Sequence, residues 1–153
     1  MKRLALFIVA WALVAFQAGA GESQAGGAAQ NERVRFDFVD IYIDSGAAPL
    51  AAYQVEINAE TDNVKIVGIE GGQHLAFKEA PYYDPAALSQ KRVIIAAFST
   101  GATLPTGRTR VARIHVRLTG ERKPEYVVTL EVAATAAGKP IAATATAAQG
   151  EGK

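Results

Sequence analysis

The chain has 153 residues, no cysteine and a formal net charge of +1 at pH 7. The lack of cysteine excludes disulfide bonds, a thiol nucleophile and thiolate metal ligands. The near-neutral charge disfavours general nucleic-acid binding, which usually requires a basic domain.

Residues 1–20 have the three parts of a secretory signal peptide. A basic start (MKR) precedes an apolar run over residues 4–16, and AGA at 18–20 is typical of a cleavage site. The run holds 13 residues, whereas a membrane-spanning helix needs about 20. We therefore expect cleavage after Ala20 and export to the periplasm, the cell envelope or the medium, without stable membrane insertion of the product.

Cleavage would change the composition of the working protein. It removes the only Trp and the only Met, and leaves 14 basic and 15 acidic residues, a formal charge of −1. Residues 21–31 (GESQAGGAAQN) are small and polar, which predicts a flexible leader. We expect one domain over residues 32–148 and a disordered tail over residues 149–153.

The first predicted strand covers residues 34–43, where apolar and polar side chains alternate. Apolar residues occupy the even positions up to Phe38 and the odd positions from Val39 onward. Because successive side chains of a strand point to opposite faces, this change of phase predicts a β-bulge or a crossing from one sheet to another between Phe38 and Val39.

Six further strands are predicted, separated by turns that contain Gly, Pro, Asp or Asn. The run at 92–98 is mostly apolar, which is typical of a strand buried on both sides or of a central strand of a sandwich. Only one helical turn is predicted, at residues 85–89. The six strands cover residues 50–57, 64–69, 92–98, 108–118, 126–132 and 141–147.

Strands with one apolar face must bury that face against a second sheet or by closure. The pattern therefore predicts an all-β fold: a two-sheet antiparallel β-sandwich of jelly-roll or Greek-key type, with about seven to nine strands.

Three stretches, together spread over most of residues 34–147, resemble the cohesin family. Residues 50–72 (LAAYQVEINAETDNVKIVGIEGG) are similar to a strand of that family that leads through an Asp/Asn turn to a short valine strand and a glycine. Residues 92–99 resemble its central apolar strand, and residues 107–118 (GRTRVARIHVRL) its Gly-x-x-x-Leu-Ala-x-Leu-x-Phe-x-Val strand. The resemblance implies a cohesin-like sandwich, related to carbohydrate-binding modules, whose relatives bind dockerin proteins or polysaccharide and do no chemistry.

The longest predicted connection, residues 73–90, carries the first candidate binding residues. His74, Phe77, Tyr82 and Tyr83 bring an imidazole and three aromatic rings to one loop, and such rings suit stacking on sugars or contact with a protein. The alternative is that the loop folds down and that Phe77 and one tyrosine cover the end of the core.

A basic strand supplies the second candidate set. Arg113, His115 and Arg117 are spaced to project from one face, which would suit an acidic partner or an anionic glycan. The alternative is a solvated face whose charges pair with Glu56, Glu131 or aspartates of neighbouring strands.

Neither a metal site nor a cofactor is expected. Five aspartates could offer oxygen ligands to Ca²⁺, but no loop has the dense acidic spacing of a calcium site, which favours surface carboxylates. They are Asp37, Asp40, Asp44, Asp62 and Asp84.

We expect an exported, non-catalytic module that recognises a protein partner or a polysaccharide. No nucleophile motif or phosphate-binding loop is present in the sequence. Two alternatives stay open: an assembly subunit that pairs through exposed edge strands, and a hydrolase with paired carboxylates, for which Glu70, Glu79 and Asp84 are the candidates.

Overall fold

The computed structural model describes residues 33–150. The predicted signal peptide and leader, and residues 151–153 of the predicted tail, lie outside the described residues. The described elements are β1 (Val34–Asp44), β2 (Ala52–Ala59), β3 (Val64–Gly71), a 3-10 helix (Leu75–Phe77), β4 (Tyr82–Tyr83), a second 3-10 helix (Pro85–Ala87), β5 (Arg92–Phe98), β6 (Arg108–Thr119), β7 (Tyr126–Ala134) and β8 (Thr144–Gly150).

The eight strands form two four-stranded sheets. Sheet A has the order β3-β6-β1-β8 and sheet B the order β4-β5-β2-β7, and every strand pair is antiparallel. β1 pairs with β8, β2 with β7, β3 with β6 and β4 with β5, a nested pairing like that of jelly rolls. The prediction of an all-β, two-sheet antiparallel sandwich is confirmed.

The core lies between the sheets and is almost entirely aliphatic. Each strand contributes alternate residues, because side chains of a strand point to opposite faces. Sheet A contributes Val39, Ile41, Ile43, Val64, Ile66, Ala112, Ile114, Val116 and Leu118, and sheet B contributes Tyr53, Val55, Ile57, Val93 and Ile95.

The bulge or crossing predicted between Phe38 and Val39 is wrong. β1 pairs with β6 without interruption through these residues, and the register shifts only between Ile41 and Tyr42. Since Val39 faces the core, Phe38 and Phe36 face outward on sheet A, where Phe36 is 70% exposed. The apolar phase of residues 34–38 therefore belongs to the outer face of the same strand.

Two further differences from the sequence-based expectation concern strands. The pair Tyr82–Tyr83, expected inside a loop, forms β4 at the edge of sheet B. β8 runs to Gly150, two residues beyond the predicted end of the domain at 148.

β5 is a central strand of sheet B, in agreement with one of the two interpretations of its sequence. Its residues Val93 and Ile95 are buried, whereas Ile94 is 38% exposed on the outer face.

Candidate functional site

The long connection after β3 is anchored to the sandwich at its start. His74 caps the first 3-10 helix, with its Nδ1 accepting a hydrogen bond of 3.1 Å from the amide of Ala76. Phe77 turns inward, is 2% exposed and meets the ring of Tyr53 edge to face, at 5.1 Å between centroids. His74 and Phe77 therefore have local structural roles, and Phe77 is not accessible to a partner.

The two adjacent tyrosines have opposite orientations. β4 pairs with β5 through Tyr82 opposite Ala96 and Tyr83 opposite Ile95. Because Ile95 faces the core, Tyr83 also points inward and packs against it. Tyr82 points outward, is 72% exposed, and its ring is stacked on that of Phe98, with 6.4 Å between centroids and 12° between planes.

Tyr82 belongs to a larger group of exposed side chains on the outer face of sheet B, which we call the apolar face. The register aligns Phe98 with Ala52 and Ala134, and Ala96 with Gln54 and Val132. Phe98 is 65% exposed and Val132 is 45% exposed. The apolar face consists of Tyr82, Ile94, Ala96 and Phe98 together with Ala52 and Val132.

The apolar face has an ion pair at one end, its charged end, and a groove lined by aromatic rings at the other. At the charged end Arg92 donates two hydrogen bonds to the carboxylate of Glu56, at 2.7 and 2.6 Å. This contact holds the pKa of Glu56 below its usual value. At the other end Tyr82 and Phe98 line a groove of about 190 Å³ with Leu75, which is highly exposed.

The basic strand projects from the outer face of sheet A. Arg113, His115 and Arg117 alternate with core residues of β6 and lie opposite Asp40, Phe38 and Phe36 of β1. They share one face of one sheet, whereas the apolar face belongs to the other sheet. The structure therefore separates the two predicted groups of binding residues.

Arg113 is neutralised within the fold. Its guanidinium donates hydrogen bonds of 2.7 and 2.9 Å to the carboxylate of Asp40, and Arg110 donates a third of 3.2 Å. The same guanidinium lies 3.7 Å from the ring centroid of Phe38. Burial acts to raise the pKa of Asp40, but the hydrogen bonds and charges of Arg113 and Arg110 outweigh it and hold the pKa below its usual value.

The other two residues of this strand differ from Arg113. His115 Nε2 lies 2.9 Å from Glu70 Oε1 across the β3–β6 pair. Arg117 lies opposite Lys65, and no carboxylate of residues 33–150 is within 4 Å of it. The charge partners Glu56 and Glu131, considered from the sequence, lie on sheet B instead.

The carboxylates considered for hydrolysis do not face one another in a groove. A groove of about 530 Å³ beside β5 is lined by one carboxylate, Asp84, which accepts a hydrogen bond of 2.9 Å from the amide of Ala86. Glu70 lies on the outer face of sheet A beside His115. Within residues 33–150 no group of three or more His, Asp or Glu side chains is placed to hold a metal ion.

Sequence reasoning missed most of the apolar face. Ile94 and Phe98 lie in a run that is apolar at nearly every position, which indicated a strand buried on both sides or a central strand of a sandwich. Neither interpretation identified these two side chains as exposed. The alternation of side chains could have found them. In a central strand of a sandwich, either the odd-numbered or the even-numbered residues of 92–98 face the core, and the other set must face outward. The described part of the chain also has no helix long and apolar enough to span a bilayer.

Comparison with known proteins identifies no relative of this chain. No protein-family model matches the chain, and no curated protein or solved structure is significantly similar to it. What can be said of its function therefore comes from its own residues.

Proposed function

We propose that this chain is an exported, non-catalytic binding module that recognises a protein partner through the apolar face of sheet B. The observation that carries the proposal is the exposed, stacked pair of Tyr82 and Phe98. Large aromatic side chains are enriched at the energetic centres of protein interfaces. Two of them side by side in water, surrounded by Ile94, Val132 and alanines, are best explained by a surface that a partner covers.

A protein fits this face better than a sugar. Ligand sites for small molecules are concave, typically with about 300–1,000 Å³ of volume and several convergent polar groups. The groove beside Tyr82 and Phe98 has only about 190 Å³, and the groove of about 530 Å³ beside β5 is lined by neither ring. Around the two rings the face is a sheet surface whose polar side chain is Gln54, because Arg92 and Glu56 bond to each other at the charged end. A broad, weakly polar surface matches the centre of a protein interface.

The cohesin-like identity and the location outside the cytosol are part of the same proposal. The stretches that resemble cohesins form β2, β3, β5 and β6, strands of both sheets of a sandwich, and cohesin relatives work by recognition. The signal-peptide pattern of residues 1–20 supports export. Export would release a product that starts at Gly21, and intact mass measurement of the exported protein tests this directly.

The binding test compares matched aromatic variants. Tyr82→Ala/Phe98→Ala removes the stacked pair, and Phe36→Ala removes an equally exposed ring from sheet A. Each protein is immobilised and exposed to the envelope fraction of its own source, and bound proteins and polysaccharides are quantified. A protein that the wild type and Phe36→Ala capture, and that the double variant loses at least tenfold, supports the proposal.

Three results contradict it. The proposal fails if the double variant retains the protein, if Phe36→Ala loses it equally, or if the ligand lost by the double variant is a polysaccharide. Thermal unfolding of the three proteins controls for misfolding, because exposed side chains usually affect stability little.

A further inference from the structure

β8 is an open edge of sheet A. On one side it pairs with β1 over its whole length, from Phe38 opposite Gly150 to Asp44 opposite Thr144, without a bulge. On the other side no backbone hydrogen bond joins residues 144–150 to any other residue of the range 33–150. Among residues 33–150, alternate amides and carbonyls of this seven-residue strand therefore have no strand partner on that side, and they have the geometry to pair with another strand.

The other edge of sheet A is covered. The backbone of Ile66 in β3 exchanges hydrogen bonds of 2.7 and 2.8 Å with Ser89 and Gln90, and Gly72 donates one of 2.6 Å to Phe77. The long connection thus shields β3 along much of its length.

Both edges of sheet B are shortened or interrupted. β4 has only two residues and is flanked by Pro81 and Pro85, which have no amide hydrogen. β7 has a register shift that leaves Glu131 as an extra, exposed charged residue, and its end is paired with residues 140 and 141. These are the devices by which proteins prevent unwanted strand pairing. β8 (TATAAQG) has neither charge, proline nor bulge.

We propose that β8 is a self-association edge: β8 of a second copy of this chain pairs with it antiparallel, about a two-fold axis, to form one continuous eight-stranded sheet. The apolar face lies on sheet B, so this contact is separate from the surface proposed for the protein partner.

A second copy suits this edge because its own β8 is already an extended strand. A flexible peptide would have to lose roughly 1–2 kcal/mol of backbone entropy per ordered residue, whereas a preformed strand has lost it on folding. β8 has no charged side chain, so a copy placed against itself brings no like charges together.

The pairing register follows from the two-fold axis. Residues directly opposite each other must point to the same face, so the sum of their numbers is even in an antiparallel self-pair. Full overlap of residues 144–150 places Ala147 at the axis and Thr146 opposite Ala148 of the second copy. Both of the latter positions lie on the outer face of sheet A, because they are opposite Tyr42 and Asp40.

This register gives a charge-swap experiment. In Thr146→Lys/Ala148→Lys each lysine would face a lysine of the other copy, and in Thr146→Glu/Ala148→Glu each glutamate would face a glutamate. Mixing the two variants would restore opposite charges at both places. The matched control is Val127→Lys/Thr129→Lys, which places two lysines on exposed positions of β7, the corresponding edge of sheet B.

Sedimentation equilibrium of the chain from Gly21 onward, over a concentration series, measures the result. We expect a reversible dimer for the wild type and the control, a dissociation constant at least about tenfold higher for each charged β8 variant, and recovery in the equimolar mixture. A wild type that stays monomeric at millimolar concentration overturns the proposal. It is also overturned by growth beyond a dimer, by an equal effect of the control, or by a mixture that does not recover.

Discussion

The hydroxyl of Tyr53 donates a hydrogen bond of 3.1 Å to the carbonyl oxygen of Val111 and so connects the inner faces of the two sheets. Val111 is the residue that the register shift of β6 leaves without a partner on β1. A bulge leaves its extra residue out of the ladder, and a buried carbonyl requires a donor. Burial of the phenol raises the pKa of Tyr53 well above its usual value, so the hydroxyl remains a donor.

Tyr53→Phe should therefore lower the free energy of unfolding by about 1–2 kcal/mol, because it leaves the Val111 carbonyl buried and unpaired. Denaturant unfolding of the variant measures the loss. Tyr82→Phe removes a hydroxyl from an exposed tyrosine and should change stability by less than about 0.5 kcal/mol. Equal effects of the two changes would show that the Tyr53 hydrogen bond contributes nothing.

A second prediction separates core from surface within the first 3-10 helix. Phe77→Ala should cost about 3–4 kcal/mol, because it removes a fully buried ring that packs on Tyr53. Leu75→Ala, two residues away and 80% exposed, should cost less than about 0.5 kcal/mol. Urea unfolding compares the two, and a cost below about 1 kcal/mol for Phe77→Ala would contradict the described packing.

The same loop shows what the sequence could and could not predict. An aromatic-rich connection of 18 residues was identifiable, and one of its two interpretations had Phe77 and one tyrosine covering the core, as they do. The sequence did not identify which tyrosine points inward. That distinction depends on the pairing of Tyr83 with Ile95. The two residues lie on different strands and become neighbours only when the chain has folded. Period two predicts that side chains alternate; the neighbouring strand decides which set is buried.

β1 illustrates the same limit from the opposite side. Its alternation was correctly taken as a strand, yet the apolar side chains of Phe36 and Phe38 led to the prediction of a bulge or a crossing after Phe38. Their pairing with Arg117 and His115 places them outward, and the guanidinium of Arg113 covers the ring of Phe38. The strand bounds were predictable from local pattern, whereas the outward phenylalanines depended on partners more than 70 residues away in the chain.

A third prediction concerns the contact between β3 and the long connection. A Cβ atom on Gly71 would overlap the backbone carbonyl oxygens of Lys78 and Glu79, which cannot turn away as a side chain could. Gly71→Ala should displace the connection and cost about 2–3 kcal/mol. Gly68→Ala in the same strand would bring only ordinary contact with His115, at 3.7 Å, and should cost less than about 1 kcal/mol.

Hydrogen exchange identifies which backbone amides lose protection in the Gly71→Ala variant. The amides of Gly72 and Ser89, both bonded between β3 and the connection, should exchange faster in Gly71→Ala than in Gly68→Ala. The amides of β2 should change only by the loss of global stability that denaturant unfolding measures for each variant. Unchanged protection of Gly72 and Ser89 would show that the connection does not rest on Gly71.

The last prediction uses the depressed pKa of Asp40. Its carboxylate is 13% exposed and is bound by Arg113 and Arg110, so its ionised form stabilises the folded state. Since the folded pKa lies below the unfolded value of about 3.9, this stabilisation is complete above that value and is lost as the pH falls through the folded pKa.

Asp40→Asn should lower the free energy of unfolding by about 2 kcal/mol at pH 7, and the difference from wild type should shrink below about pH 4. Urea unfolding from pH 7 to pH 2 measures both curves, with the exposed Glu125→Gln as control. A difference between wild type and Asp40→Asn that stays constant over this range would mean that Asp40 is not held ionised by its two arginines.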